Sequence, residues 1–404
     1  MTKRLSLPDP ILFFLALATT IVGLFLIFDA GYARSIASGD GPIPREFKMQ
    51  VLFAVASLGI GLLCARIPID LWKRLAVPGF GLCVALLLAV KVIGVEMNGA
   101  KRWLDLGPFN LQPSEFAKFG VIAYLAFVFC QRKPWVERTK RFKHWAQWLD
   151  AVAVPKVVRA WPALLVLFVV VMIEFEPDLG TAAVVAAVAY AMFWLGGVSW
   201  KSMLAITVIG LSGVAALTIK EPYRVDRILN HSQRWQPDHV DDVGYQTTQS
   251  EAAMASGRLL GVGIGSGRAK HIMPAATTDF IMATVGEEFG LLGSLTVIGL
   301  LAALTLRLII LARRSPSRFG QLILLGTAAW FGIQSCTNIL MANGTVPPIG
   351  IPIPFISSGG SSLIALWIAL GVCQAAAVPK LKMEEAHETG RDRWGDRRSR
   401  LSRA

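Results

Sequence analysis

Residues 10–29 read PILFFLALATTIVGLFLIFD, an apolar run whose first charge is its last residue, Asp29. As a helix rising about 1.5 Å per residue, such a run covers the ~30 Å hydrocarbon core of a bilayer. Nine further apolar segments follow, near 48–65, 72–94, 113–130, 161–175, 178–197, 202–219, 285–311, 319–342 and 361–378. The expected fold class is an all-α polytopic membrane protein of about ten transmembrane helices, with a large extracytoplasmic loop, residues 220–284, between helices 7 and 8. Composition agrees. Of 404 residues 54% are hydrophobic and 17% charged, and the mean hydropathy is +0.54, a balance foreign to water-soluble folds of this length.

The first run is too long for a signal-peptide core and no small-residue cleavage site follows it, so residues 1–9, with Lys3 and Arg4, are expected to stay in the cytoplasm. Ten crossings then return the tail, residues 381–404, to the same side. Loop charges support this orientation. Segment 131–160 holds Arg132, Lys133, Arg138, Lys140, Arg141, Lys143, Lys156 and Arg159 against Glu137 and Asp150; Arg313, Arg314, Arg318 and the Arg-rich tail also fall inside. The formal charge of +13 thus reflects topology and attraction to anionic head groups, and nucleic acid is not an expected partner. The five cysteines sit in or beside apolar spans without a CxxC pair, which reads as core packing rather than disulfide or metal chemistry.

Polar residues at helix ends cost free energy in lipid and must face protein or water. Four such places fall on the extracytoplasmic side. In NGAKRWLDLGPFNLQPSEFAK, residues 98–118, Pro113 suits a helix start, and Glu115 and Lys118 stand three residues apart. That spacing gives either a helix-entrance ion pair or a cavity in which Arg102 and Lys118 bind phosphate and Glu115 holds Lys118. In EFEPDLGTA, residues 174–182, the acids either cap a tight helix–helix turn or line a cavity at a broken helix. Segment 220–284 has Gly261, Gly263, Gly265 and Gly267 in a GxGxGxG run without a βαβ context. It is expected to lie flat near head groups, with Arg224, Arg227, Arg258, Arg268 and Lys270 open to anionic groups. Its end, MPAATTDFIMATVGEEFGLLG at 273–293, places Asp279, Glu287 and Glu288 where a membrane helix should begin. Fourth, NGTVPPIGIPIPFISSGGSS, residues 343–362, has too many prolines and glycines for a regular helix and too many isoleucines for a connector in water. A re-entrant loop sheltered by protein is expected.

Together and in this order, RWLDLGPFNLQPSEFAK, EPDLGTA, YRVDRI with YQTTQS, TTDFIMATVGEEFG and PPIGIPIPFISSGGSS resemble the SEDS family (shape, elongation, division and sporulation) of RodA and FtsW type. The resemblance spans about residues 10–380. It implies a ten-helix enzyme of the bacterial cytoplasmic (inner) membrane, with both termini cytoplasmic. The family polymerises lipid II into glycan strands with release of undecaprenyl pyrophosphate, beside a class B penicillin-binding protein as partner. The family's essential acid falls on Asp279. An aspartate at the lip of a water-accessible cavity can take the proton of an acceptor sugar hydroxyl.

Arg102, Lys118, Lys48 and Arg224 are then the expected pyrophosphate cations, with Glu115, Gln112, Ser114, Ser357 and Gly359 as further substrate-site residues. A loosely bound divalent cation, Mg or Mn, is an expected helper, and no organic cofactor is expected. The chain departs from the family's usual pattern at Ser358, where a tyrosine is common, and over Met273 to Thr277, where Leu-Pro-Glu and a histidine are common. Two other readings stay open: a lipid II flippase, and a non-enzymatic scaffold of the wall-synthesis complex. Elongation and division types also both stay open.

Overall fold

The computed structural model describes residues 9–39, 41–97, 99–107, 109–131, 154–220, 231–236, 244–273 and 275–377. The described helices are α1 Pro10–Ala37, α2 Arg45–Arg66, α3 Ile69–Ile93, α4 Pro113–Cys130, α5 Val154–Glu174, α6 Leu179–Leu195, α7 Trp200–Lys220, α8 Tyr245–Ser256, α9 Ala269–Ile272, α10 Ile281–Arg314, α11 Arg318–Ala342 and α12 Gly360–Ala376. All ten expected apolar segments coincide with a long helix. Six of these, α1 to α4, α10 and α11, are long and apolar enough to cross a membrane. α6, α12 and the Trp161–Glu174 part of α5 are apolar but shorter. Lys3, Arg4, most of the basic segment 131–160 and the tail lie outside the described residues.

One addition to the helical plan is a small antiparallel meander between α3 and α4, formed by β1 Val95–Met97, β2 Ala100–Asp105 and β3 Asn110–Leu111. Gly99 at φ +75° and Gly107 at φ +85° occupy its turns, a backbone region that glycine enters freely. The meander stands over the entrance of α4 and carries Arg102.

Two ends of the bundle are held by different chemistry. At one end Asp9 caps α1, accepting from Leu12 N at 2.8 Å, and forms an ion pair with Arg307 of α10. Gln374 of α12 donates to the Asp9 carbonyl and accepts from its N–H. Arg313, Arg314 and Arg318 are exposed at this end. At the other end gather the connections 38–44, 94–112, 175–178 and 343–359, together with α8, α9 and the turn before α10.

Between the ends lies an apolar core. Phe331 of α11 and Trp367 of α12 each meet Phe355 edge to face, at 5.3 and 6.1 Å, so the segment after α11 turns back into the protein. Helices α2 and α12 approach closely where both carry glycine. A Cβ added at Gly371 would lie 2.3 Å from the Gly61 carbonyl oxygen, a contact that small residues permit between membrane helices.

Candidate functional site

The α4 entrance forms as its sequence predicts, with Gln112 at the N-cap and Pro113 in the first turn. One turn in, the Lys118 ammonium donates to Glu115 Oε1 at 2.7 Å and to Gln334 Oε1 at 3.2 Å. It also stands over the Trp330 ring at 5.7 Å. Lys118 and Glu115 are 1% and 3% exposed, so this ion pair is enclosed by protein. Charges so deep are tolerated because they are paired and hydrogen-bonded.

Beside it, Asp178 caps α6, accepting from Thr181 N at 3.1 Å. Its other oxygen accepts from Gln112 Nε2 at 3.1 Å and Ser114 Oγ at 3.5 Å. The EFEPD acids therefore form a capped helix–helix turn, not a broken helix. Arg102 closes that turn from the meander, donating from Nε to the Glu176 carbonyl at 3.0 Å and from Nη2 to the Pro177 carbonyl. Glu176 itself is fully buried with neither carboxylate oxygen hydrogen-bonded. Burial, helped by the charge of Asp178, pushes its carboxyl up to about 8 against the pull of Lys91 and Arg102.

Asp279 lies in the turn before α10, half-buried. The Ala275 carbonyl accepts from both Thr278 N and Phe280 N at 3.1 Å, which gives the turn its shape. The re-entrant segment clasps this turn. Ser357 Oγ donates to the Thr278 carbonyl at 2.6 Å, and Ser358 N donates to the Thr277 carbonyl at 2.9 Å. The second contact uses backbone, so a serine at 358 preserves it. From α11, Asn338 Nδ2 donates to the carbonyls of Asp279 and Ile351, and Gln334 Nε2 to that of Pro352 at 2.8 Å. The Asp279 carboxylate faces the Gly350 turn: a Cβ added there would lie 3.5 Å from Oδ2.

Gln334 and Asn338, one helical turn apart, thus join the Glu115–Lys118 pair to the Asp279 turn. On the far side of the loop, Gly359 N donates to Gln50 Oε1 of α2 at 3.0 Å, and Ser361 Oγ accepts from Gln112 N at 3.0 Å. Of the residues singled out from sequence, Gln112, Ser114, Glu115 and Lys118 form one group around α4; Asp279, Ser357 and Gly359 form another along the re-entrant loop. Arg102 borders the first. Lys48 is exposed in the first turn of α2, two residues from Gln50. Arg224 lies outside the described residues. Gln50, Gln334, Asn338 and Ser361 escaped the sequence reading, although polar side chains inside the apolar run WFGIQSCTNIL are a signal that could have found two of them.

The glycine-rich segment stays at the surface, with Leu259, Leu260, Val262 and Ile264 exposed, and is anchored there in a break in α10 at Gly290, which has φ +65° and ψ −158°. Val262 N and Gly263 N donate to the carbonyls of Glu287 and Glu288, and Leu291 N and Leu292 N donate to those of Arg258 and Leu259. The backbone groups freed by the break are thereby paired. Gly265 N and Gly267 N donate to the Glu288 carboxylate, while Arg268 N and Ala269 N donate to that of Glu287, all at 2.9–3.0 Å. The acids of GEEFG bind their own loop. Lys270 is 2% exposed and is closed to lipid head groups, whereas Arg258 and Arg268 remain exposed.

Comparison with known proteins identifies the family. The FtsW/RodA/SpoVE family, described as cell cycle proteins, matches residues 9–380. A probable peptidoglycan glycosyltransferase FtsW of Aeromonas salmonicida is 33% identical over 91% of this chain and 89% of its own; its counterpart in Marinobacter nauticus is 32% identical over 90% and 88%. Among solved structures, a chain from "Structural coordination of polymerization and crosslinking by a peptidoglycan synthase complex" superposes with TM-score 0.70 at 28% identity, covering 91% of this chain and 97% of that one. The rod shape determining protein RodA of Thermus thermophilus does so with TM-score 0.61 at 27% identity, covering 91% and 96%. The chain belongs to the FtsW/RodA/SpoVE family of cell cycle proteins.

Proposed function

We propose that this multi-pass membrane protein is a peptidoglycan glycosyltransferase that polymerises lipid II in cell elongation or division. The observation that carries the reading is the Asp279 turn. Its three carbonyls, at 277, 278 and 279, are each held by a different group of the re-entrant loop or α11, so a half-buried carboxylate is presented from an immobilised backbone. Preorganisation of this kind is what a general base requires.

In the proposed step the Asp279 carboxylate takes the proton of the acceptor GlcNAc 4-hydroxyl as that oxygen attacks the donor MurNAc anomeric carbon. The anomeric C–O bond breaks with inversion, and its electron pair leaves on undecaprenyl pyrophosphate. The leaving charge needs cations. Arg102 and the exposed Lys48 are proposed to supply them, with Arg224 as a third. Lys118 contacts a pyrophosphate only if its ammonium leaves Glu115; paired as it is, it orders the α4 entrance. Gln112, Ser114, Ser357 and Gly359 shape the surrounding walls. A divalent cation, Mg or Mn, would find the Asp279 carboxylate there and draw other ligands from phosphate and water. No group of three His, Cys, Asp or Glu side chains comes together among the described residues.

The working partner is proposed to be a class B penicillin-binding protein, in the bacterial inner membrane with both termini of this chain cytoplasmic. The test is purified protein, alone and with that partner, incubated with labelled lipid II and a divalent cation. Polymer from wild type and none from folded Asp279→Ala supports the reading. No polymer even with the partner, together with movement of lipid II across liposome bilayers, replaces the enzyme by a flippase.

A further inference from the structure

Lys270 is a buried cation, 2% exposed, that takes no part in the step above. Its ammonium lies 2.6 Å from Glu288 Oε1 of α10 and 3.0 Å from Asp29 Oδ1 of α1. Exposures of 1% for Glu288 and 7% for Asp29 leave no route for a phosphate to reach the ammonium. Glu288 is fixed in turn by Gly265 N and Gly267 N.

The position of this cluster in the chain gives it a consequence. Asp279 follows Lys270 of α9 by nine residues and stands two before α10, which carries Glu288, so the Lys270–Glu288 pair closes a loop of chain that includes the Asp279 turn and the start of α10. The same α1 holds the loop a second time, through Arg34 Nη2 donating to the Met273 carbonyl at 2.8 Å. Closing a loop narrows the positions the chain within it can take.

We infer that Asp29, Lys270 and Glu288 form an enclosed ionic clamp that positions Asp279 for glycan transfer, acting through the loop and without touching substrate. The inference rests on the glycosyltransferase reading for its kinetic part and on the fold alone for its structural part. A misplacement of about 1 Å at a reacting group is worth on the order of a hundredfold in rate, so loosening the clamp lowers kcat far more than it alters KM.

The test compares wild type, Lys270→Met, Asp29→Asn and the reversed pair Asp29→Lys with Lys270→Asp, each as full-length protein in lipid nanodiscs. Amide exchange is followed at Thr278 and Phe280, and polymerisation with labelled lipid II. Lys270→Met is expected to speed exchange and lower kcat by about tenfold or more, with KM nearly unchanged, and the reversed pair to recover both. Asp29→Asn, a milder change, gives the same pattern at smaller amplitude and carries the test if Lys270→Met does not fold. Wild-type exchange and kcat in the single variants overturn the inference. So does a loss of kcat that tracks only the folded fraction and is not recovered by the reversed pair. A wild type that makes no polymer sinks the glycosyltransferase reading instead, and the exchange data then decide the clamp alone.

Discussion

Asn338 donates its side-chain amide to the backbone carbonyl of Asp279 at 2.7 Å, and the same nitrogen serves the Ile351 carbonyl across the re-entrant loop. One α11 side chain therefore sets the spacing between the candidate base and the loop that faces it. Asn338→Leu should leave two carbonyls without their donor, at a cost of ~1–3 kcal/mol each. The expected outcome is a lower melting temperature and a fall in kcat of about tenfold or more, read by thermal unfolding and lipid II polymerisation on one preparation.

Asp279→Asn keeps the shape of the side chain and leaves the Asn338 contact, which is to backbone, intact. Loss of a general base typically costs ~10²–10⁴ in rate. Polymerisation should therefore collapse while the melting temperature and lipid II binding stay near wild type. Measurable turnover close to wild type would remove Asp279 from the base role.

The helical plan was legible because span length and apolar runs are local properties of the chain, as in residues 10–29. The α4 entrance was legible for a similar reason: Pro113, Glu115 and Lys118 encode their geometry within six residues. The clasp around Asp279 was not. Asn338 and Gln334 look like isolated polar residues in an apolar helix until the carbonyls of Asp279, Ile351 and Pro352 are brought to them by the fold. Lys270 was misread for the same cause. Its partner Asp29 stands 241 residues away, and nothing near Lys270 in the chain signals burial. The glycine run disclosed conformational freedom but not the break in α10 that uses it.

The Glu115–Lys118 pair gives a direct reading of role. If the pair is architectural, removing one partner strands a buried charge, at a cost of ~3–5 kcal/mol. Removing both in Glu115→Gln with Lys118→Met should recover much of that stability. The expected double-mutant cycle shows strong coupling in thermal unfolding, with polymerisation recovering alongside it. Recovered stability with activity still absent would instead assign the Lys118 ammonium to the pyrophosphate.

Glu176 makes stability depend on pH. Its carboxyl is raised from 4.5 to about 8 by burial first and by Asp178 second. The folded protein thus keeps a proton that the unfolded chain releases, and the associated stability is full below about pH 4.5 and is lost as pH rises towards 8. Each unit in that window is worth up to ~1.4 kcal/mol. Glu176→Gln, which cannot ionise, should match wild type at pH 5 and melt higher at pH 8. Equal melting temperatures at both values would show that Glu176 is not buried as an acid.

Gly261 is where the segment preceding α9 meets the broken helix. Its φ of +84° lies in the region that glycine favours, and a Cβ there would sit 2.1 Å from the Glu288 carbonyl oxygen. Gly261→Ala therefore adds backbone strain to a clash with backbone that cannot move without disturbing Gly290. Strain alone costs about 1–2 kcal/mol, and relief of the clash would pull the loop off α10 and loosen the amides that hold Glu288. The variant should unfold earlier than wild type, and exchange should rise at Gly265 and Gly267 before it rises in α11. Alanine at 259 or 260, where the native leucines are exposed, serves as the control and should leave both quantities unchanged. A Gly261→Ala protein with wild-type exchange across 261–269 would mean that the loop is not seated in the α10 break.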